Sequence, residues 1–291
     1  MLTAQPMQTA LSHPGPYTLL DLKGDPGLIA RNRLALRDLA YGIRLLPLAW
    51  TLGWLDIRLR YRGSALGPLW LTLSTGIMVG ALGYLYAGIF HTDVSDYLPF
   101  LALSMVLWSF LSTVVGECCN VFTESEGIVR AVRMPFFLFA IRLLIRNVLV
   151  LAHNVLVIAV VFVVFGVWPG WSGFLVLPSL MLWVIDCLAA ALLFGTFCTR
   201  FRDIMPIVTS VMQIAFFLTP VIWKPEQLGS QGQALLPFNP FFDLLEIVRS
   251  PLLGAVPATE IWLGALLYSA MLWMLAWSLF SRARGRIAFW I

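Results

Sequence analysis

Apolar residues run almost unbroken over six stretches of the chain, 69–90, 98–115, 145–167, 174–197, 204–222 and 261–280. A helix needs about 20 apolar residues to cross the hydrocarbon core of a bilayer, and these stretches reach or approach that length. The pattern predicts an all-α integral membrane protein with six transmembrane helices. Ahead of the first stretch, Leu36, Leu39, Ile43 and Leu46 recur at helical spacing with Arg33, Arg37 and Arg44 opposite. That is the pattern of an amphipathic helix lying in the membrane interface, ended or kinked at Pro47. From Leu48 two apolar stripes follow, Leu48–Leu52–Leu55–Leu59 and Trp50–Trp54–Ile57–Tyr61, with Asp56, Arg58, Arg60 and Arg62 between them. Such a helix suits the headgroup layer, touching lipid on one side and protein on the other. The chain is expected to divide into a loose cytoplasmic tail (1–33), an interface-helix region (34–62) and a six-span unit (63–291).

Two connections between the stretches carry structure of their own. The one over 116–144 sets Glu117, Glu124, Glu126, Arg130 and Arg133 among apolar residues and is long enough for a short helix and a turn at Pro135. The one over 223–260 contains the apolar run Phe241, Phe242, Leu244, Leu245, Ile247 and Val248 between Pro240 and Pro251. That run is too short to span, so it predicts short re-entrant helices in the outer leaflet before the last span. Irregular backbone at that depth has to be buried in protein or face a wet cavity.

Charge decides the sides. The N-terminal region, the second and fourth connections and the C-terminal segment hold 17 of the 19 Lys and Arg residues; the opposite side holds only Lys224 and Arg249. Cytoplasmic loops collect Lys and Arg, so both termini of this multi-pass protein are expected in the cytoplasm. This asymmetry accounts for the net charge of +4 without a nucleic-acid partner. Composition agrees: 60% hydrophobic and 12% charged residues compare with about 25% charged in a soluble domain. No charged n-region followed by an h-region opens the chain, so no cleaved signal peptide is visible.

Candidate chemistry is sparse. No Gly-Lys pair exists, so a phosphate-binding P-loop is excluded. His13, His91 and His153 form no metal pattern, and Cys118, Cys119, Cys187 and Cys198 read as packed thiols. Asp243 and Glu246 stand at i, i+3, either as an acid pair or as a solvated helix face. Asp186 lies mid-way along the fourth stretch and His153 and Asn154 within the third; a carboxylate at that depth needs a partner. Asp186 is expected to meet His153 or Asn154, as a structural clamp or as part of a transport path. Gly76 and Gly80 permit close helix approach, within the chain or between two copies. Trp70, Trp168, Trp171, Trp223 and Trp262 fall at span ends, as in an aromatic belt. Trp108, Trp183, Phe216 and Phe217 lie within spans, where they either face lipid or stack on sugar rings in a channel.

Four stretches in order, "DIRLRYRGSALGPLW" (56–70), "EGIVRAVRMPFFL" (126–138), "RFRDIMPIVTSVMQIAFFLTPVIW" (200–223) and "NPFFDLLEIVRSPLLG" (239–254), resemble the membrane subunits of type-2 ABC exporters. Within that family the chain looks most like the polysaccharide-exporting branch of O-antigen, capsule and teichoic acid permeases. The resemblance implies a transport subunit that is not itself an enzyme. Two copies would form a pore powered by two copies of a separate ATP-binding cassette subunit, which would bind ATP and Mg. It implies a coupling helix near 123–134 using Glu124, Glu126, Arg130 and Arg133, and a second ATPase contact at Arg200, Arg202 and Asp203. It also implies outer gate helices over 223–254. The substrate would be a glycan on a polyprenyl diphosphate or other lipid carrier. Arg58, Arg60 and Arg62, at inner headgroup level, would either receive the diphosphate or anchor the chain to anionic membrane lipids. An O-antigen-like glycan is the first expectation and a capsule or teichoic acid permease the alternative to it; a drug or lipid exporter, and a membrane glycosyltransferase or acyltransferase, follow. The stretch "RYRGSALGPLW" itself reads as a hinge: Gly63, Gly67 and Pro68 allow the bend from the interface into the first span.

Overall fold

The computed structural model describes residues 27–63, 67 and 69–291. These are helical almost throughout, with no strand among them. The helices are α1 (Leu28–Arg44), α2 (Leu46–Arg60), α3 (Leu69–Phe90), α4 (Val94–Cys118), α5 (Glu126–Ala131) and α6 (Phe136–Phe165), followed by α7 (Val176–Arg200), α8 (Ile204–Leu218), α9 (Ser230–Gln233), α10 (Pro240–Leu252) and α11 (Thr259–Trp290). Five of them, α3, α4, α6, α7 with its preceding turn, and α11, are long and apolar enough to cross a membrane. The sixth expected span, α8, has 15 residues, about 22 Å at helical rise. It stops at Leu218 because Thr219, which precedes Pro220, is extended (φ −90°, ψ 139°), the conformation a following proline favours.

α1 begins at Leu28, six residues before the expected start of the interface helices, and residues 1–26 of the expected tail lie outside the described residues. Pro47 occupies the first turn of α2, where its missing N–H costs nothing. The faces also differ from the expected ones. The buried positions of α1 and α2 are Ala35, Asp38, Gly42, Ala49, Gly53 and Ile57, whereas Leu36, Ile43, Trp50 and Trp54 are exposed. A Cβ on Gly42 would stand 2.9 Å from Phe137 Cβ, and one on Gly53 2.9 Å from Ile145 Cγ2. Small residues thus let both helices lie close against α6, and the apolar stripes are left for lipid. Gly63 (φ +85°) and Gly67 (φ +55°) take the left-handed backbone that glycine adopts without strain. Pro68, the third element of the expected hinge, lies outside the described residues.

α4 is the central helix, buried along most of its length and packed on α3, α6, α7, α8 and α10. α6 starts nine residues and α11 ends ten residues beyond the apolar stretches that predicted them. The added turns hold Arg142 and Arg284, which the sequence pattern counts against a span and the fold pairs with Asp56 and Asp38. Both ends of the described chain meet at one end of the bundle, where Arg284 Nε donates to Asp38 at 2.7 Å and Arg130 Nη2 to the Ile291 carbonyl at 2.9 Å. At the other end Tyr97, opening α4, donates to Ile222 O at 2.5 Å. α8 and the residues after it therefore run the full length of α4.

Candidate functional site

The interface helices are fastened by charge. Asp38, 2% exposed, accepts the backbone N–H of Phe136 at 3.2 Å and of Phe137 at 3.0 Å. It caps the first turn of α6, whose own preceding residue, Pro135, offers no side-chain acceptor. Arg142 holds Asp56 with two bonds of 2.8 and 2.6 Å, the paired geometry guanidinium and carboxylate favour. Glu117, on the last turn of α4, accepts from Arg60 at 3.1 Å, Arg146 at 2.7 Å and Asn147 at 2.6 Å. Arg60 is therefore committed to protein, and Arg58 and Arg62 are exposed. Sequence reading did not find Glu117, Arg142 or Arg146 as partners; their signal was only that each interrupts the Arg-rich end of an apolar helix.

At the same end α5 is a single six-residue helix, shorter than the 123–134 expected. Glu126 and Arg130 pair along it at 2.8 Å, Glu124 lies 3.7 Å from Arg146, and Arg133 is exposed. Arg200 ends α7 with its guanidinium over the rings of Phe201 (5.6 Å) and Trp290 (5.5 Å), and Arg202 and Asp203 are exposed in the turn. A cleft of about 360 Å³ lies between these parts, lined by Cys119, Asn120, Thr123, Glu126, Cys198, Arg202, Met205 and Ile291.

A second cleft, of about 400 Å³, runs between α4 and α8 and is lined by Trp108, Ser112, Gly116, Thr209, Met212, Gln213, Phe216 and Phe217. Its aromatic rings form a continuous wall: Trp108 to Phe216 is 5.8 Å and Phe216 to Phe217 is 5.2 Å, edge to face. Gln213 and Thr209 are exposed on an α8 that buries Met212 and rests Val208, Ala215 and Phe216 on the core while its other faces stay open. An amide and hydroxyls on an open helix face at membrane depth call for water, a polar ligand or another chain. Trp183 is not on this wall. It is 2% exposed, stacks on Phe110 (5.7 Å, 5°) and donates to Leu244 O at 3.0 Å, so its indole N–H serves to hold α10.

Asp186 also departs from expectation. It accepts from Ser269 of α11 at 2.7 Å rather than from His153 or Asn154. His153 Nδ1 is 2.7 Å from Leu149 O, and Asn154 is buried with its carbonyl oxygen unpartnered among the described residues. The reason is packing, since α7 makes its most extensive contact with α11. The four cysteines are free and buried.

On the opposite side Arg249 is 1% exposed. It pairs with Glu246, donates to Ser104 Oγ at 2.9 Å and to Pro220 O at 2.5 Å, and lies 4.4 Å above the Phe100 ring. Glu246 is thus neither solvated nor paired with Asp243. Asp243 is fully buried, with neither carboxylate oxygen hydrogen-bonded among the described residues, and packs on Gly264. Asn239 caps α10 by accepting from Phe241 N at 3.0 Å and reaches Thr219 at 3.0 Å. These bonds lock the short helix α10 to α4 and to the end of α8.

The family model of the ABC-2 type transporter matches residues 47–253. The chain belongs to the ABC-2 type transporter family. This permease, a membrane transport subunit, is also similar to curated relatives named O-antigen export system permease protein RfbA. The one from Myxococcus xanthus is 22% identical over 192 residues, covering 65% of this chain and 74% of the relative. One from Klebsiella pneumoniae is 19% identical over 191 residues, with the same two coverages. The matched region of the ABC-2 permease runs from the start of α2 to the end of α10. It includes the α4–α8 cleft, the Glu117 and Arg249 networks and α5, and leaves out Asp38 and α11.

Proposed function

We propose that this permease moves a lipid-linked, O-antigen-like polysaccharide from the cytoplasm across the bacterial inner membrane. It works as a dimer with two copies of a separate ATP-binding cassette subunit, which binds ATP and Mg and hydrolyses the nucleotide. The observation that carries this reading is the cleft between α4 and α8. Trp108, Phe216 and Phe217 offer ring faces for sugars, with Ser112, Thr209 and Gln213 beside them for hydroxyl groups. A glycan in transit needs sequence-tolerant contacts of this kind, apolar faces for its C–H surfaces and dispersed polar groups for its hydroxyls. A drug exporter has no equal need for the hydroxyl-and-amide side of the cleft.

In this reading α8 is the fifth of six crossings and turns its exposed face, with Thr209, Gln213 and Phe217, to the pore. The second copy covers α3: Gly80 meets nothing within 4 Å and Gly76 only Val157 at 3.9 Å, so their small-residue face is free for helix-on-helix approach. The Arg-rich end of the bundle is cytoplasmic, as are both termini. Arg58 and Arg62 receive the lipid diphosphate at headgroup depth, and Arg60 holds the receiving helix to α4 through Glu117. α5 and the Arg200–Asp203 turn dock on the ATPase, and α10, pinned by Arg249, forms the outer gate.

Deletion of the gene in its host tests the reading. Loss of surface glycan with accumulation of the lipid-linked polymer inside the cell is the expected outcome. Loss of polymer synthesis itself would instead make the chain a glycosyltransferase, and unchanged surface glycan would remove the O-antigen assignment.

A further inference from the structure

We infer that Trp290 and Ile291 are positioning residues that join the two ATPase-docking elements, α5 and the α7–α8 turn, into one rigid body. The inference rests on the proposed ATPase partnership and goes beyond it, because the end of α11 lies outside the matched family region.

The geometry is built from three elements that are remote in sequence. Arg130 of α5 donates to the Ile291 carbonyl at 2.9 Å. Arg200, at the end of α7, sits 5.5 Å over the Trp290 ring. Ile291 also lines the cleft that separates Thr123 and Glu126 on one side from Arg202 and Met205 on the other. One turn back, Ile287 is fully buried in the core, and Arg284 binds the Asp38 carboxylate that caps α6. The last turns of α11 are therefore held firmly, and the contacts they make to Arg130 and Arg200 bridge α5 and the turn.

A bridge is needed mechanically. α5 has only six residues, too few to be a stable helix alone, and its own pair, Glu126 with Arg130, is largely exposed and contributes little. α5 otherwise rests on the core through the half-buried Ile128 and Val129, so without α11 it and the turn would lose the contacts that link them to each other. Joined through Trp290 and Ile291, they present one surface, on which Val132, Phe201 and Phe289 are exposed apolar side chains suited to a soluble protein partner. A rigid-body movement of the ATPase then reaches α7 and α11 together.

The test uses the full chain co-expressed with the host's ATP-binding subunit in cells lacking the native permease. Three quantities are measured: co-purification of the two chains, phosphate release from Mg·ATP by the complex in nanodiscs, and surface sugar labelled on intact cells by periodate and hydrazide. For Trp290→Ala the complex is expected to form and hydrolyse ATP while export falls about fivefold, the value of one cation–ring contact. Trp290→Phe, which keeps a ring under Arg200, restores most of the export. Wild-type export by Trp290→Ala, or equal impairment of the Ala and Phe variants, overturns the inference. If Trp290→Ala does not accumulate, Trp290→Leu, which keeps apolar bulk but loses the ring under Arg200, takes its place. Lowered export with hydrolysis retained then supports the bridge, and unchanged export refutes it. Failure of the wild-type chain to co-purify with any ATPase would sink the underlying partnership, and the bridge with it.

Discussion

The Asp38 carboxylate accepts the backbone N–H of Phe136 at 3.2 Å across 98 positions of sequence. The first helix thereby caps the sixth, and Arg284 of the last helix neutralises the cap at 2.7 Å. Asp38→Ala removes three bonds, those from Phe136, Phe137 and Arg284. Arg284 keeps some access to solvent, with 28% of its side chain exposed, so the loss is expected to be about 2–3 kcal/mol rather than the full cost of a stranded buried charge. Thermal unfolding of the purified permease in detergent measures it, and Asp38→Asn, which retains one acceptor, should fall between.

Glu117 and Arg60 belong to one ion cluster but are unequal members. Glu117→Gln takes from Arg146, with 13% of its side chain exposed, the nearest of three carboxylates, leaving Glu124 at 3.7 Å and Asp56 at 3.8 Å, and should cost about 2 kcal/mol. Arg60, with 42% of its side chain exposed, should cost about 1 kcal/mol or less as Arg60→Ala. Urea titration of the two variants ranks them. Export by Arg58→Ala and Arg62→Ala, both at exposed positions, then reports on headgroup reception separately from stability.

Arg249 is the buried cation of the outer end, and Arg249→Ala strands Glu246 beside α4. We expect about 3–5 kcal/mol of destabilisation. The double variant Arg249→Met with Glu246→Leu should recover much of it, because two apolar side chains need no counter-charge. A double-mutant cycle on melting temperature checks the prediction.

Asp243 has no such partner. A buried carboxylate without hydrogen bonds is a cost to the fold, so Asp243→Asn is expected to be neutral or stabilising. Gly264→Ala is the converse: its Cβ would fall 2.2 Å from Asp243 Oδ2 and should cost about 1–3 kcal/mol by overpacking. Asp243→Ala should suppress that cost, which comparison of the three melting curves decides.

Along the α4–α8 cleft, Phe217 is 69% exposed, so Phe217→Ala should leave stability within about 0.5 kcal/mol. Export should nevertheless fall. Gln213→Ala should lower export by about two- to tenfold, the value of one net hydrogen bond. Surface-glycan labelling at matched expression reads both. Trp183→Phe, which loses the bond to Leu244 O away from the cleft, should instead lower stability and leave glycan handling per folded molecule unchanged.

The long membrane helices were legible in the sequence because apolar length is a quantity carried along a single line. Apolar length places 69–90 as a helix to the residue, and the burial of small residues on α1 and α2 had a visible signal in the Ala35–Gly42–Ala49–Gly53 series. The aromatic candidates Trp108, Phe216 and Phe217 converge on one cleft, while Trp183 does not. Nothing in one dimension separates them, since a tryptophan inside an apolar helix looks the same whichever neighbour it meets.

The helical class, the arginine-rich end and the absence of a P-loop were thus determined by the sequence alone. Only the tertiary structure decided the partners of the charges: Asp38 with Phe136 and Arg284, Glu117 with Arg60 and Arg146, Asp186 with Ser269, Arg249 with Glu246 and Ser104. The physical reason is that a charge in a low-dielectric bundle takes the counter-charge or dipole that packing brings within about 3 Å. Which helices pack together is a property of small residues and shape spread over the whole chain.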